Sequence, residues 1–203
     1  MTERPILFSG EMVRAILDRR KTQTRRVIKP QPAPLYSKAI DHFEFSEGYW
    51  WPTSHSGVVG AWTPIRYCCP YGIPGDRLWG RETWATPGNF DHIKPRDLAS
   101  SDYSADLTVY RATAKNAEPY YRWRPSIFMT RWAARIELDV VRVQVERVRE
   151  ISEQDAYAEG IDRAPTMPHP RQWFRNLWDR INAKRGYSWD VNPWVWVIEF
   201  AAP

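Results

Sequence analysis

Residues 21–26 read Lys-Thr-Gln-Thr-Arg-Arg, three cations interleaved with two hydroxyls. Charged Lys21, Arg25 and Arg26 can grip phosphates while Thr22 and Thr24 donate hydroxyl hydrogen bonds, the chemistry of a nucleic-acid contact. A second run, Tyr120-Tyr121-Arg122-Trp123-Arg124, alternates rings with guanidiniums, as a platform that stacks bases and pairs phosphates does; the same run would equally cap one end of a barrel. Glu82 offers an acceptor for the amino group of cytosine, or a partner for a neighbouring arginine. Cys68 and Cys69 are adjacent in sequence, which builds no disulfide framework. With only His42, His55, His92 and His169 beside them they match no zinc spacing, so neither a metal nor a cofactor is expected.

The composition points the same way. The chain has 203 residues, enough for one domain, and 43% of them are hydrophobic, enough to bury a core. Its longest apolar run, Trp194–Ile198, is too short to cross a bilayer, and Ile6-Leu7-Phe8 after Arg4-Pro5 makes no signal stretch. The expectation is a cytoplasmic protein without a membrane partner. Net charge is +5, and lysine supplies only six of the 29 basic residues (Lys21, Lys29, Lys38, Lys94, Lys115 and Lys184). Arginine dominates, and its planar fork suits phosphate and base edges better than an ammonium does. Twelve Trp, ten Tyr and seven Phe provide faces on which unstacked bases can lie. RNA, a modified nucleoside or DNA is therefore the expected partner; the other reading of the same composition is a core and surface rich in cation–π pairs.

The elements that must position these residues follow from periodicity. Ser9 caps a helix over 10–20, with Val13, Ile16 and Leu17 at helical spacing. Lys21–Ile28 then reads as a strand with Thr22, Thr24 and Arg26 on one face. Residues 29–73 carry repeated prolines and read as an irregular insertion, but Tyr49, Trp50, Trp51 and Trp62 argue that it packs over the core as a lid or side wall. A turn at Gly75-Asp76 leads into a strand at Leu78–Trp84. A second irregular insertion, 86–131, holds a short strand at Thr108–Arg111. Arg135–Val148 is a long strand whose apolar parity switches between Val140 and Val141, which predicts a bulge or a strong bend there. Ser152 and Asp155 spell a capping box, Ile151 and Ala156 a hydrophobic staple, and Gly160 a left-handed stop. Pro170 opens a third helix with an apolar stripe at Trp173, Phe174, Leu177, Trp178 and Ile181. Trp194–Phe200 closes the pattern as a strand. The fold class is α+β: a small mixed β-barrel, about three flanking helices and two long insertions.

In this order, the helix, Lys21-Thr22-Gln23-Thr24-Arg25, Gly75-Asp76-Arg77-Leu78, the long bent strand, the helix ending Glu159-Gly160 and the last strand resemble the ASCH family, a branch of the PUA-like β-barrels. The resemblance covers about 5–28, 74–84 and 132–200, as a single domain. With Trp123-Arg124-Pro125-Ser126 and Asn192-Pro193-Trp194, the whole chain also looks like the longer ASCH-like proteins encoded by phages and prophages. It implies a five- or six-stranded barrel with a cleft for a base, nucleoside or RNA segment. Small bacterial members of the family are amidohydrolases that deacylate N4-acetylcytidine with a Lys, a Thr and a Glu. By position these fall on Lys21, Thr24 and Glu159, with Asp155 one turn earlier as the other carboxylate in that helix. Family members commonly carry a glycine two residues before the lysine, where this chain has Arg19.

The chemistry so implied uses the Thr24 hydroxyl as nucleophile and the Lys21 amine as its base, with Glu159 holding the proton for the leaving nitrogen. A free ammonium titrates near ~10.4, so burial and the neighbouring arginines must lower Lys21 by roughly 3 pKa units for it to serve at pH 7. The alternative is a non-catalytic reader of RNA or modified DNA that uses the same cleft and an Arg/Trp surface.

Overall fold

The computed structural model describes residues 1–32, 40–54, 57–58, 66–98, 107–114, 121–161 and 169–201. It is a mixed α+β structure built on one five-stranded sheet. The strands are β1 (Glu3–Leu7), β2 (Gln23–Val27), β6 (Arg77–Arg81), β9 (Glu137–Arg147) and β10 (Trp194–Ala201), in the order β1-β6-β9-β10-β2. β1 runs parallel to β6, and the other pairings are antiparallel.

β10 lies at the centre of the packing because both of its faces are apolar. Trp194, Trp196, Ile198 and Phe200 join Ile6, Phe8, Leu78, Leu138 and Val140 in the main core. Val195 and Val197 face the other way, toward α2 (Glu153–Ala158) and α3 (Pro170–Asn182), where Ile151, Ala156, Phe174 and Trp178 cover them. The parity switch in β9 is a bulge: Arg142 pairs with Glu199 and Val140 with Phe200, which leaves Val141 over and 58% exposed.

The helix signals read from sequence correspond to real caps. Ser9 Oγ accepts from the Met12 amide at the start of α1 (Gly10–Leu17). Ser152 and Asp155 exchange both bonds of a capping box, and buried Ile151 and Ala156 pack in one cluster. Pro170 is the first residue of α3.

The insertions are more regular than their prolines suggest. In the first, β3 (His42–Ser46) and β4 (Tyr49–Ser54) form a hairpin, and β4 also pairs with β5 (Gly57–Val58). Its turn, Glu47-Gly48, has φ of 53° and 82°, the doubly left-handed geometry that fits the twist of two strands. Phe43 meets Trp194 and Trp50 meets Trp196, each at 5.0 Å between ring centroids, so the hairpin walls in the core. Trp62 lies outside the described residues.

The expected strand Leu78–Trp84 is two strands. β6 ends at Arg81, and β7 (Trp84–Ala85) pairs with β8 (Val109–Tyr110) of the second insertion. Nor is the sheet a closed barrel: among the described residues no ladder joins β1 to β2. Its two edge strands are tied instead through a side chain, the Arg26 Nη2 donating to the Leu7 carbonyl at 2.6 Å. Among the described residues no helix is long and apolar enough to cross a membrane.

Candidate functional site

α1 ends in a sharp reversal that delivers Lys21. Asp18 caps it, Arg19 adopts φ of 57°, and the amides of Arg20 and Lys21 both return to the Ala15 carbonyl. An exposed arginine thus occupies a left-handed position, a conformation that favours glycine. Lys21 then bridges backbone to backbone with Glu159, the C-cap of α2. Gly160 makes this approach feasible. It has φ of 102°, and a Cβ there would sit 2.8 Å from Ala15 Cβ and 3.0 Å from Lys21 Cβ.

The Lys21 ammonium is fully enclosed and has three acceptors for its three protons: the Gln23 carbonyl at 2.7 Å, the Glu159 carbonyl at 2.9 Å and Glu159 Oε2 at 2.6 Å. Burial pushes the lysine below its ordinary value, against the pull of Glu159, and the charges of Arg26 and Arg25 add to the lowering. Arg25 extends the network. Its Nε donates to Glu146 at 2.7 Å, its Nη1 to Gln23 and Glu159, and its Nη2 lies 3.4 Å from Asp155. Glu159 and Asp155 therefore have different partners: Glu159 meets both Lys21 and Arg25, whereas Asp155 meets Arg25, Gln23 and Ser152 of its own cap. Burial raises Glu146, while Arg25 opposes the rise.

Strand alternation divides β2. Gln23 and Arg25 pair across from Glu199 and Val197 and share the helix-facing side, while Thr24 and Arg26 pair across from Ile198 and Trp196 and face the main core. Because β2 is an edge strand, residues of both sides reach a cleft of about 490 Å³ that runs along it. Thr24, Arg25, Arg26 and Glu159 all line this cleft; Lys21 sits behind Glu159 and does not. No hydrogen bond among the described residues joins Lys21 to Thr24. The opposite wall is β1, through Pro5, Ile6 and Leu7, and the floor and ends are supplied by α3 and the turn after it.

The cleft is cationic. Lys29, Arg81 and Arg185 join Arg25 and Arg26 on its lining, against the single carboxylate of Glu159. Lys29 Nζ lies 5.4 Å from the centre of the Tyr187 ring and Arg81 stands over Trp79 at 4.6 Å, while Tyr71 adds a further ring to the wall. The Nε atoms of Arg26 and Arg81 are buried without a hydrogen-bond partner, two guanidinium donors unspent on the protein's own acceptors. Lys29, Arg81, Arg185, Tyr71 and Tyr187 were not singled out by sequence reasoning. The sequence signal among them is a cation and a ring two residues apart, in Trp79-Gly80-Arg81 and Arg185-Gly186-Tyr187; Lys29 and Tyr71 carry none.

The remaining candidates lie elsewhere. Thr22 is exposed, and its backbone bonds Ala158 and Phe200. Glu82, between β6 and β7, is 1% exposed, outside the cleft, and held by Arg135 through bonds of 2.8 and 3.1 Å, so it is an ion-paired carboxylate rather than an acceptor in the cleft. Arg124 is buried, bonded to Thr86 and Asp91 and bridged to Trp84. Arg122 is exposed, Tyr121 and Trp123 are half-buried, and Arg111 stands over the Trp123 ring at 5.0 Å. Tyr120 lies outside the described residues. Among the described residues no three His, Cys, Asp or Glu side chains cluster as metal ligands. Burial pushes the Cys69 thiol up to about 12, which keeps it protonated and unreactive at neutral pH.

Compared with models of known families, with curated proteins and with solved structures, the chain gives no significant match.

Proposed function

We propose that the cleft along β2 binds a nucleobase together with phosphate, as part of RNA or as a modified nucleotide. The observation that carries this reading is the cleft itself: about 490 Å³, walled by aromatic rings, with five cations facing one carboxylate. That volume is in the range of small-ligand sites. Rings supply stacking faces, the arginines supply phosphate donors, and Glu159 and Thr24 supply an acceptor and a hydroxyl for a base edge. The ASCH resemblance supports the same ligand class. The approach of β1 to β2 across the cleft is in keeping with an open, PUA-like barrel whose seam is the binding site.

A second reading, amide hydrolysis on an N4-acylcytosine, is favoured by one observation: Glu159 touches Lys21 on one side and lines the cleft with Thr24 on the other. In that reaction a neutral Lys21 takes the Thr24 proton as Oγ attacks the acyl carbon. The C–N4 bond breaks, N4 leaves with a proton from Glu159, and water then releases the acyl group from Thr24. It requires Lys21 to exchange one of its three present acceptors for the Thr24 hydroxyl. The ammonium is saturated as it stands, so recognition without turnover is the leading reading.

Two assays separate them. Phosphate-driven binding of an oligoribonucleotide should weaken steeply with salt, and Arg185→Ala should flatten that dependence by about one ion. N4-acetylcytidine incubated with the protein should be recovered intact. Release of cytidine by the parent but not by Thr24→Val or Lys21→Ala would instead establish the hydrolase.

A further inference from the structure

Beyond the cleft, the second insertion builds another concave surface. Asp91, His92, Lys94, Arg122, Trp123 and Phe128 are among the residues that line a groove of about 360 Å³. Its carboxylate, Asp91, is taken by Arg124 at 3.1 Å, whereas Lys94 and Arg122 are exposed and have no carboxylate partner among the described residues. The groove is therefore cationic in effect. It adjoins the cleft at Arg81. Arg81 lines the cleft, and its Nη1 donates to the Ile127 carbonyl at 3.4 Å. Ile127 is 60% exposed beside Arg81, and Phe128, 61% exposed, lines the groove. A large apolar pair held in water next to free cations is what a base and its flanking phosphates require.

Resting on the reading that the cleft takes a nucleobase, we propose that the ligand is a single-stranded polynucleotide whose chain leaves the cleft past Arg81, stacks a base on Phe128 and places a phosphate at Lys94 and Arg122. A free nucleoside fills only the cleft, and a duplex keeps its base faces stacked away from Phe128. The single-stranded polymer uses both concavities and the exposed ring of Phe128.

The test is the affinity of a fluorescent oligocytidylate dinucleotide against that of the octanucleotide, each in ribose and deoxyribose form. The octanucleotide should bind at least about tenfold tighter than the dinucleotide, the gain expected of one stacked base and its phosphate contacts. The double variant Arg122→Ala/Phe128→Ala, changed only at exposed positions, should lose that gain and keep the dinucleotide affinity. Arg122→Ala alone should lower the salt slope of the octanucleotide by about one. A gain in only one sugar series supports the path and identifies the polymer. Equal affinities for the two lengths in the parent, or a double variant that leaves the gain intact or weakens both lengths alike, overturn the path while the cleft reading stands. Failure of both lengths to bind overturns the two together.

Discussion

The segment between β2 and β6 and the segment between β7 and β9 are both long, both rich in proline and aromatic residues, and both without a clear period in sequence. They meet the rest of the molecule in opposite ways. The first sends Trp50 and Phe43 into edge-to-face contact with the tryptophans of β10, so its rings belong to the main core. Among the described residues the second packs Met129 and Ala133 with Trp84 of β7 in a small separate cluster, sends Ala112 alone into the main core, and leaves Ile127 and Phe128 in water. Similar composition thus serves architecture in one place and a surface in the other. What separates them is whether an apolar face of the sheet was left to be covered.

The largest expected effect is at the first insertion: Trp50→Ala should cost about 3–5 kcal/mol of stability, read by chemical denaturation. A loss below about 1 kcal/mol would mean that the hairpin is an appendage like the second insertion. Next comes the buried network at the site. Glu159→Gln leaves Lys21 and Arg25 short of a countercharge and should cost about 3 kcal/mol. A smaller opposite effect is expected at Arg19, where Arg19→Gly should stabilise by about 1 kcal/mol through relief of the left-handed backbone, seen as a higher thermal midpoint. Smallest of all, Phe128→Ala should shift stability by no more than about 0.5 kcal/mol, since the ring buries little. A large loss there would erase the contrast between the insertions.

Local signals were the legible part of this fold. The bulge at Val141 could be read because one extra residue reverses the parity of every side chain after it. The Ser152 capping box and the Gly160 stop are short-range motifs with fixed spacing. The β3–β4 hairpin was hidden because its turn is Glu47-Gly48 rather than an asparagine or aspartate pair, and because Pro52 interrupts β4. At the site, no local rule brings residue 21 to residue 159; that contact was anticipated only through the order of motifs in a resembling family. The same transfer put Thr24 with Lys21, whereas strand alternation turns the threonine toward the core and leaves the ammonium with Glu159 and Gln23. The cations of the cleft come from three separate stretches, Arg25 to Lys29, Arg81 and Arg185, and only the tertiary fold gathers them.

The meeting of β1 and β2 across one cleft has a consequence for solubility. The outermost strands of an open sheet normally present unpaired amides and carbonyls that can template pairing with another molecule. Here both outermost strands line one cleft, a guanidinium from one is spent on a carbonyl of the other, and Pro5 removes a donor from β1. The sheet is thereby shielded at both margins without being sealed. Any change that spreads the cleft, such as replacing Arg26 by a short apolar residue, would expose two sticky margins at once and favour self-association before it abolished the fold.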